Sequence, residues 1–212
     1  MVTWAIAEQT GSQQNVTTNQ QQKCASPFYQ RAEAPGESQR FADDPLVKNY
    51  QLAQQVNQTS HVNPADHGGK SLVPYLEYRA DAHEDKGALI ELIRLGDEER
   101  FTRLVNQTRC SEGESDRAAY NRQQRAIELL TSVGTPAAYR ALYNLLDDTV
   151  PPSPEDDAVF QSRAWFVVQF LGETVKPYPA ELLSNDEKTK RLPADEQRRL
   201  MWKKWVENKM SK

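Results

Sequence analysis

The chain has 212 residues, 38% of them hydrophobic, with a formal net charge of −4 and two cysteines. That suits one domain with a polar tail and argues against a general nucleic-acid binder or a disulfide-rich mini-protein. No stretch approaches the roughly 18 apolar residues of a membrane-spanning helix, which excludes a transmembrane segment.

Residues 1 to about 40 read as a disordered arm, and 41–212 as the folded body. Glutamine is over-used, with 18 residues, and clusters early at Gln13, Gln14, Gln20, Gln21 and Gln22. Between Glu8 and Lys23 the only aliphatic side chain is Val16. Nothing there repays the roughly 1–2 kcal/mol per residue of ordering a backbone. Ala5-Ile6-Ala7 followed by Glu8 has the small-residue spacing of a signal-peptidase site, without the basic and apolar stretches of a full signal. On that reading the protein is periplasmic or secreted; otherwise it is cytoplasmic. Export would pair Cys24 with Cys110 and pin the arm to the body; in a reducing compartment both stay as thiols. Asn15, Asn57 and Asn106 each open an Asn-x-Thr triplet, a weak sign of secretion.

The body opens on a helix, with Asp44 as N-cap and Pro45 as its first residue. Residues 57–75, with Pro64, Gly68, Gly69 and Pro74, read as a loop. The three histidines, His61, His67 and His83, lie in or beside it with Asp66, Glu77, Asp81, Glu84 and Asp85. Imidazole and carboxylate are zinc ligands, so a metal-dependent enzyme built on His61, His67 and His83 is the alternative reading. No HExxH or comparable helical pair supports it, and no metal or cofactor is expected. Gly68-Gly69-Lys70-Ser71 lacks the upstream glycine and preceding strand of a phosphate-binding loop.

Gly96, Gly134 and Gly172 follow at intervals of 38 residues. Eight residues before them stand Ala88, Ala126 and Ala164; seven before, Leu89, Ile127 and Trp165; four before, Leu92, Leu130 and Val168; one before, Leu95, Val133 and Leu171. Positions −8, −4 and −1 share one face of a helix, and the glycine falls where a left-handed residue ends it. Asp97 and Thr135 then stand as N-caps, with Pro136 at a first helical position. Second helices carry Phe101, Leu104 and Val105, then Tyr139, Leu142, Tyr143 and Leu146. In the third unit Pro177 and Pro179 interrupt that helix.

These segments, "ALIELIRLGDEERFTRLV", "AIELLTSVGTPAAYRALYNLL" and "AWFVVQFLGETVKPYPAELL", make residues 85–183 resemble a HEAT-type α-helical repeat. The resemblance implies an all-α fold: a short HEAT-like stack of helical hairpins, seven or eight helices in all, with an extended face for binding proteins.

Residues 147–158 form an acidic, proline-rich loop whose Asp147, Asp148, Glu155, Asp156 and Asp157 could meet a basic partner. Pro193 opens a last helix to about Lys209, with Met201, Trp202, Trp205 and Val206 on one side. This helix caps the stack, or else lies in a partner's groove or on an anionic membrane surface. Nothing assembles a nucleophile, a base and an oxyanion site. The expected function is therefore non-catalytic protein binding, as a periplasmic adaptor or immunity-type inhibitor if the protein is exported.

Overall fold

The computed structural model describes residues 24–56, 62, 64–110, 116–150, 161–177, 179 and 193–211. Among these residues there are α-helices, two short 3-10 turns and no strand, so the fold is all-α. The helices are α1 (Glu37–Asp43), α2 (Pro45–Val56), α3 (Val73–His83), α4 (Lys86–Arg94), α5 (Glu98–Gln107), α6 (Asp116–Val133), α7 (Pro136–Leu145), α8 (Arg163–Thr174) and α9 (Ala194–Met210).

The caps stand where the residue types put them. Asp44 Oδ1 accepts from the Leu46 amide, Asp97 Oδ1 from Arg100, and the Thr135 hydroxyl from Ala138. Each satisfies an amide that the first turn of a helix leaves without an internal partner. Gly96 (φ 101°) and Gly134 (φ 66°) take the left-handed backbone that ends α4 and α6.

Gly172 does not end a helix. It lies inside α8, which continues to Thr174. The third unit is also turned about its axis. Trp165, at −7 from its glycine, is 40% exposed, while Phe166 and Val167 are buried in its place. The Ser162 hydroxyl caps the Trp165 amide and fixes that register.

Helices α1 and α3 and both 3-10 turns were not expected. The loop assigned to 57–75 contains 3-10 turns at Pro64–His67 and Gly69–Leu72, then runs into α3 at Val73. Pro74 falls in the first turn of α3, where a missing N–H costs no helical bond. Tyr75, Leu76, Tyr78 and Ala80 of α3 are buried, with Phe41 of α1 stacked on Tyr78 at 5.0 Å. Phe28 packed on this core and α1 starting at Glu37 place ordered chain before residue 41, the expected start of the body.

The first helices of the three units pack in succession, α4 on α6 and α6 on α8. Helix α5 packs on α4 and α6, and α7 on α6 and α8. Ala138, Leu142 and Leu145 of α7 are buried, as are Ile127 and Leu130 of α6. Arg94 ties α4 to the end of α6: Nε donates to Val133 O (2.9 Å) and Nη2 to Ser132 O (2.6 Å). Its Nη1 donates to Glu91 Oε1 at 2.8 Å. Burial pushes the Glu91 carboxyl up to about 7, against the pull of Arg94.

Helix α9 closes the far end against α7 and α8. Trp202, Trp205 and Val206 are buried, and the Trp205 ring meets Tyr139 edge-on at 5.4 Å. The face that would enter a membrane or a partner's groove is thus inside the protein.

Trp202→Ala should lower the unfolding free energy by about 3–5 kcal/mol in urea titration, as for a large core aromatic. Glu91 has a folded-state value near 7 against 4.5 for an ordinary glutamate, so the folded state holds the proton more tightly. Its contribution is full below about pH 4.5 and is lost as pH rises through about 7. Wild-type protein should lose on the order of 2–3 kcal/mol from this group across that window, and Glu91→Gln should flatten the profile.

Candidate functional site

The candidate site is a groove bordered by a strap, Cys24–Arg31, that lies along α5 and the end of α3. The strap, CASPFYQR, is held by specific anchors. Cys24 is joined by a disulfide to Cys110, just beyond α5, with the Cα atoms 5.6 Å apart. Ala25 O accepts from Gln107 Nε2 (3.2 Å), and Ser26 O from Arg103 Nη1 (3.3 Å). The Tyr29 amide donates to Asp81 Oδ1 at 3.0 Å, and the Arg31 amide to Asp81 O at 3.2 Å.

The Tyr29 ring lies between two guanidinium groups, 4.4 Å from Arg100 and 4.2 Å from Arg103. Such pairs gain from the ring's negative face, more so when shielded from water. Burial and a hydrogen bond to Glu99 push the Tyr29 hydroxyl upward in pKa. Arg100 is buried, donating Nη2 to Asp81 Oδ2 (2.6 Å) and Nη1 to Asp97 Oδ2 (2.5 Å). Farther along, Arg31 forks onto Glu37, holding that carboxylate down at about 2 through the hydrogen bonds it donates.

Between the strap and α6 opens a groove of about 500 Å³. Phe28 of the strap and Ala126 and Leu129 of α6 give it an apolar lining. Lys86, Arg122 and Arg125 add positive charge, against Glu84 in the lining and Glu128 beside Lys86. Arg122 Nη2 and Gln123 Nε2 both donate to Cys110 O, at 3.1 and 2.9 Å, fixing the disulfide's end of the groove to α6. Lys86 stands 3.5 Å from Glu128.

The residues singled out from sequence fare differently. Cys24 and Cys110 come together. Asp147, which is exposed, and Asp148 are each paired with cations. Asp147 accepts from Lys203 Nζ at 2.5 and 2.7 Å and lies 3.4 Å from Arg199 Nη1. The Lys203 bond holds the Asp147 carboxyl below its usual range. Asp148 pairs with Arg163, and its carbonyl accepts from the Ala164 amide. Both therefore fasten the α7–α8 connection to α8 and α9. Glu155, Asp156 and Asp157 lie outside the described residues, as do His61 and residues 1–23.

His67 and His83 do not share a site: His67 faces the Tyr50 ring at 6.3 Å, and His83 meets the Tyr78 ring at 4.8 Å, with Glu33 at 3.9 Å. Among the described residues no three His, Cys, Asp or Glu side chains converge as a metal would require, and no helix is long and apolar enough to cross a membrane. Asn106 sits in the last turn of α5 with Thr108 buried, unlike the exposed loop that glycosylation needs. Of the strap's anchors only the disulfide was legible; its hydrogen-bond partners stand about 50 to 82 positions away.

Replacing both cysteines with serine should cost about 2–5 kcal/mol by urea titration, because the bridge closes a long loop in the unfolded chain. Dithiothreitol should shift wild type to the same midpoint and leave the double variant unmoved.

No protein-family model, curated protein or solved structure matches this chain, so the groove and its chemistry carry the functional argument.

Proposed function

We propose that the protein is a non-catalytic protein-binding module, a short HEAT-like helical stack. Its binding site is the groove between the strap and α6, which seats a partner segment carrying both acidic and apolar side chains. The observation that carries this reading is the groove's composition: an apolar lining from Phe28, Ala126 and Leu129 beside the cations of Lys86, Arg122 and Arg125. The chain is acidic overall, so this basic stretch is a local departure that would orient an acidic partner. The apolar lining would supply the anchor pocket that dominates binding energy.

The packing of α4, α6 and α8 in succession supports the stack. The disulfide supports an oxidising compartment, where such bonds persist. Together they favour an exported adaptor or an inhibitor of the immunity type.

A photo-crosslinking residue placed at Asn121, exposed in the groove, tests the site in extract of the native host. It should give one discrete adduct that is absent when the probe sits at Lys204 on α9. Arg125→Glu should lower the yield about tenfold, a loss near 1.4 kcal/mol. Equal labelling from both positions, or labelling indifferent to Arg125→Glu, would remove the groove from the function.

A further inference from the structure

A second cavity, of about 560 Å³, opens between α2, α3 and the start of α4. Its volume lies in the range of small-molecule sites. Helix α2 contributes Gln51, Gln54 and Gln55, three amides on one helical face. From α3 comes Tyr75, whose hydroxyl accepts from Gln51 Nε2 at 2.8 Å.

The charged lining is neutralised within the wall. Arg79 donates Nε and Nη2 to Asp85 Oδ2, at 3.1 and 2.8 Å. Asp85 Oδ1 caps the Ala88 amide at 3.2 Å. An anionic ligand would need a cation that is not already paired, and a metal would need an uncommitted carboxylate. A purely apolar ligand would strip water from three amides and return nothing. What matches is a neutral ligand whose groups both donate and accept, as an amide fork and a phenol do.

Tyr50 adds an independent observation. It lines this cavity and is only 1% exposed, yet its hydroxyl has no hydrogen-bond partner among the described residues. Burial, then the neighbouring Glu91, Tyr75 and Asp85, push its pKa upward. Tyr75 and Asp85 line the cavity as Tyr50 does. A buried unpaired hydroxyl destabilises a fold, and folds that keep such groups usually do so at functional sites.

We propose that the cavity between α2, α3 and α4 binds a neutral, hydroxyl-rich ligand of the saccharide class, with Gln51, Gln54, Gln55 and Tyr75 meeting its hydroxyls and Tyr50 completing the set. This site is separate from the groove beside the strap and does not depend on that groove's function.

Saturation-transfer NMR tests it, with maltotriose, cellotriose and triacetylchitotriose as probes, and trialanine and inorganic phosphate as controls. At least one trisaccharide should show transfer, and the controls none. Gln54→Ala/Gln55→Ala, at two exposed positions, should weaken that binding about tenfold with an unchanged Tm. Tyr50→Phe should raise the Tm of the free protein while weakening the same trisaccharide. Absence of transfer from all three sugars overturns the proposal, as does equal transfer from trialanine or phosphate. Binding that is unchanged in both variants overturns it too.

Discussion

A guanidinium that cannot shed its charge, held out of water at Arg100, is the constraint around which the first half of the molecule is arranged. Burying it is tolerable only with carboxylates in contact and hydrogen-bonded. Asp81 of α3 and Asp97 ahead of α5 supply them. Each carboxylate has a second duty. Asp97 caps α5, and Asp81 receives the strap at the Tyr29 amide. Helix α3, helix α5 and the strap therefore meet in one electrostatic unit, and losing Asp81 or Arg100 would leave a charge stranded inside.

The joints between later helices use arginine differently. Arg94 reaches from α4 to the last carbonyls of α6, and Arg199 from α9 to the Leu146 carbonyl at the end of α7. Helix C-termini leave carbonyls without internal partners and carry partial negative charge, so a cation satisfies both needs at once. Apolar packing sets how closely these helices approach, and the arginines set their register. The turn from α3 to α4 also serves two surfaces. Glu84 and Lys86 line the groove beside the strap, while Asp85 and Gly87 line the amide-rich cavity.

How much was legible in the sequence follows from which interactions are local. Asp44, Asp97, Thr135 and Pro193 lie within a few residues of the amides or turns they govern, and their helices begin where expected. Gly96 and Gly134 are legible for the same reason, since a left-handed turn is a one-residue demand. Gly172 sits in the same pattern, but the Ser162 cap and the burial of Phe166 and Val167 override it. Helix α3 was obscured by Pro74 and by flanking glycines that suit a loop equally well. The groove could not be read at all, because Phe28, Lys86 and Leu129 meet only through the disulfide and the long-range strap contacts. The acidic run at Asp147 and Asp148 looked like a free surface because the cations that neutralise it stand about 15 to 56 residues downstream.

The bridge between Cys24 and Cys110 has a topological consequence. It closes a covalent ring that contains the strap and helices α1 to α5. A single peptide-bond cut anywhere between the two cysteines opens that ring without dividing the molecule. Both pieces stay tethered, and the nick shows on a gel only after reduction. The ring also holds helices α1 to α5 on one closed loop, so none of them can be drawn out by a free chain end while the bond is intact.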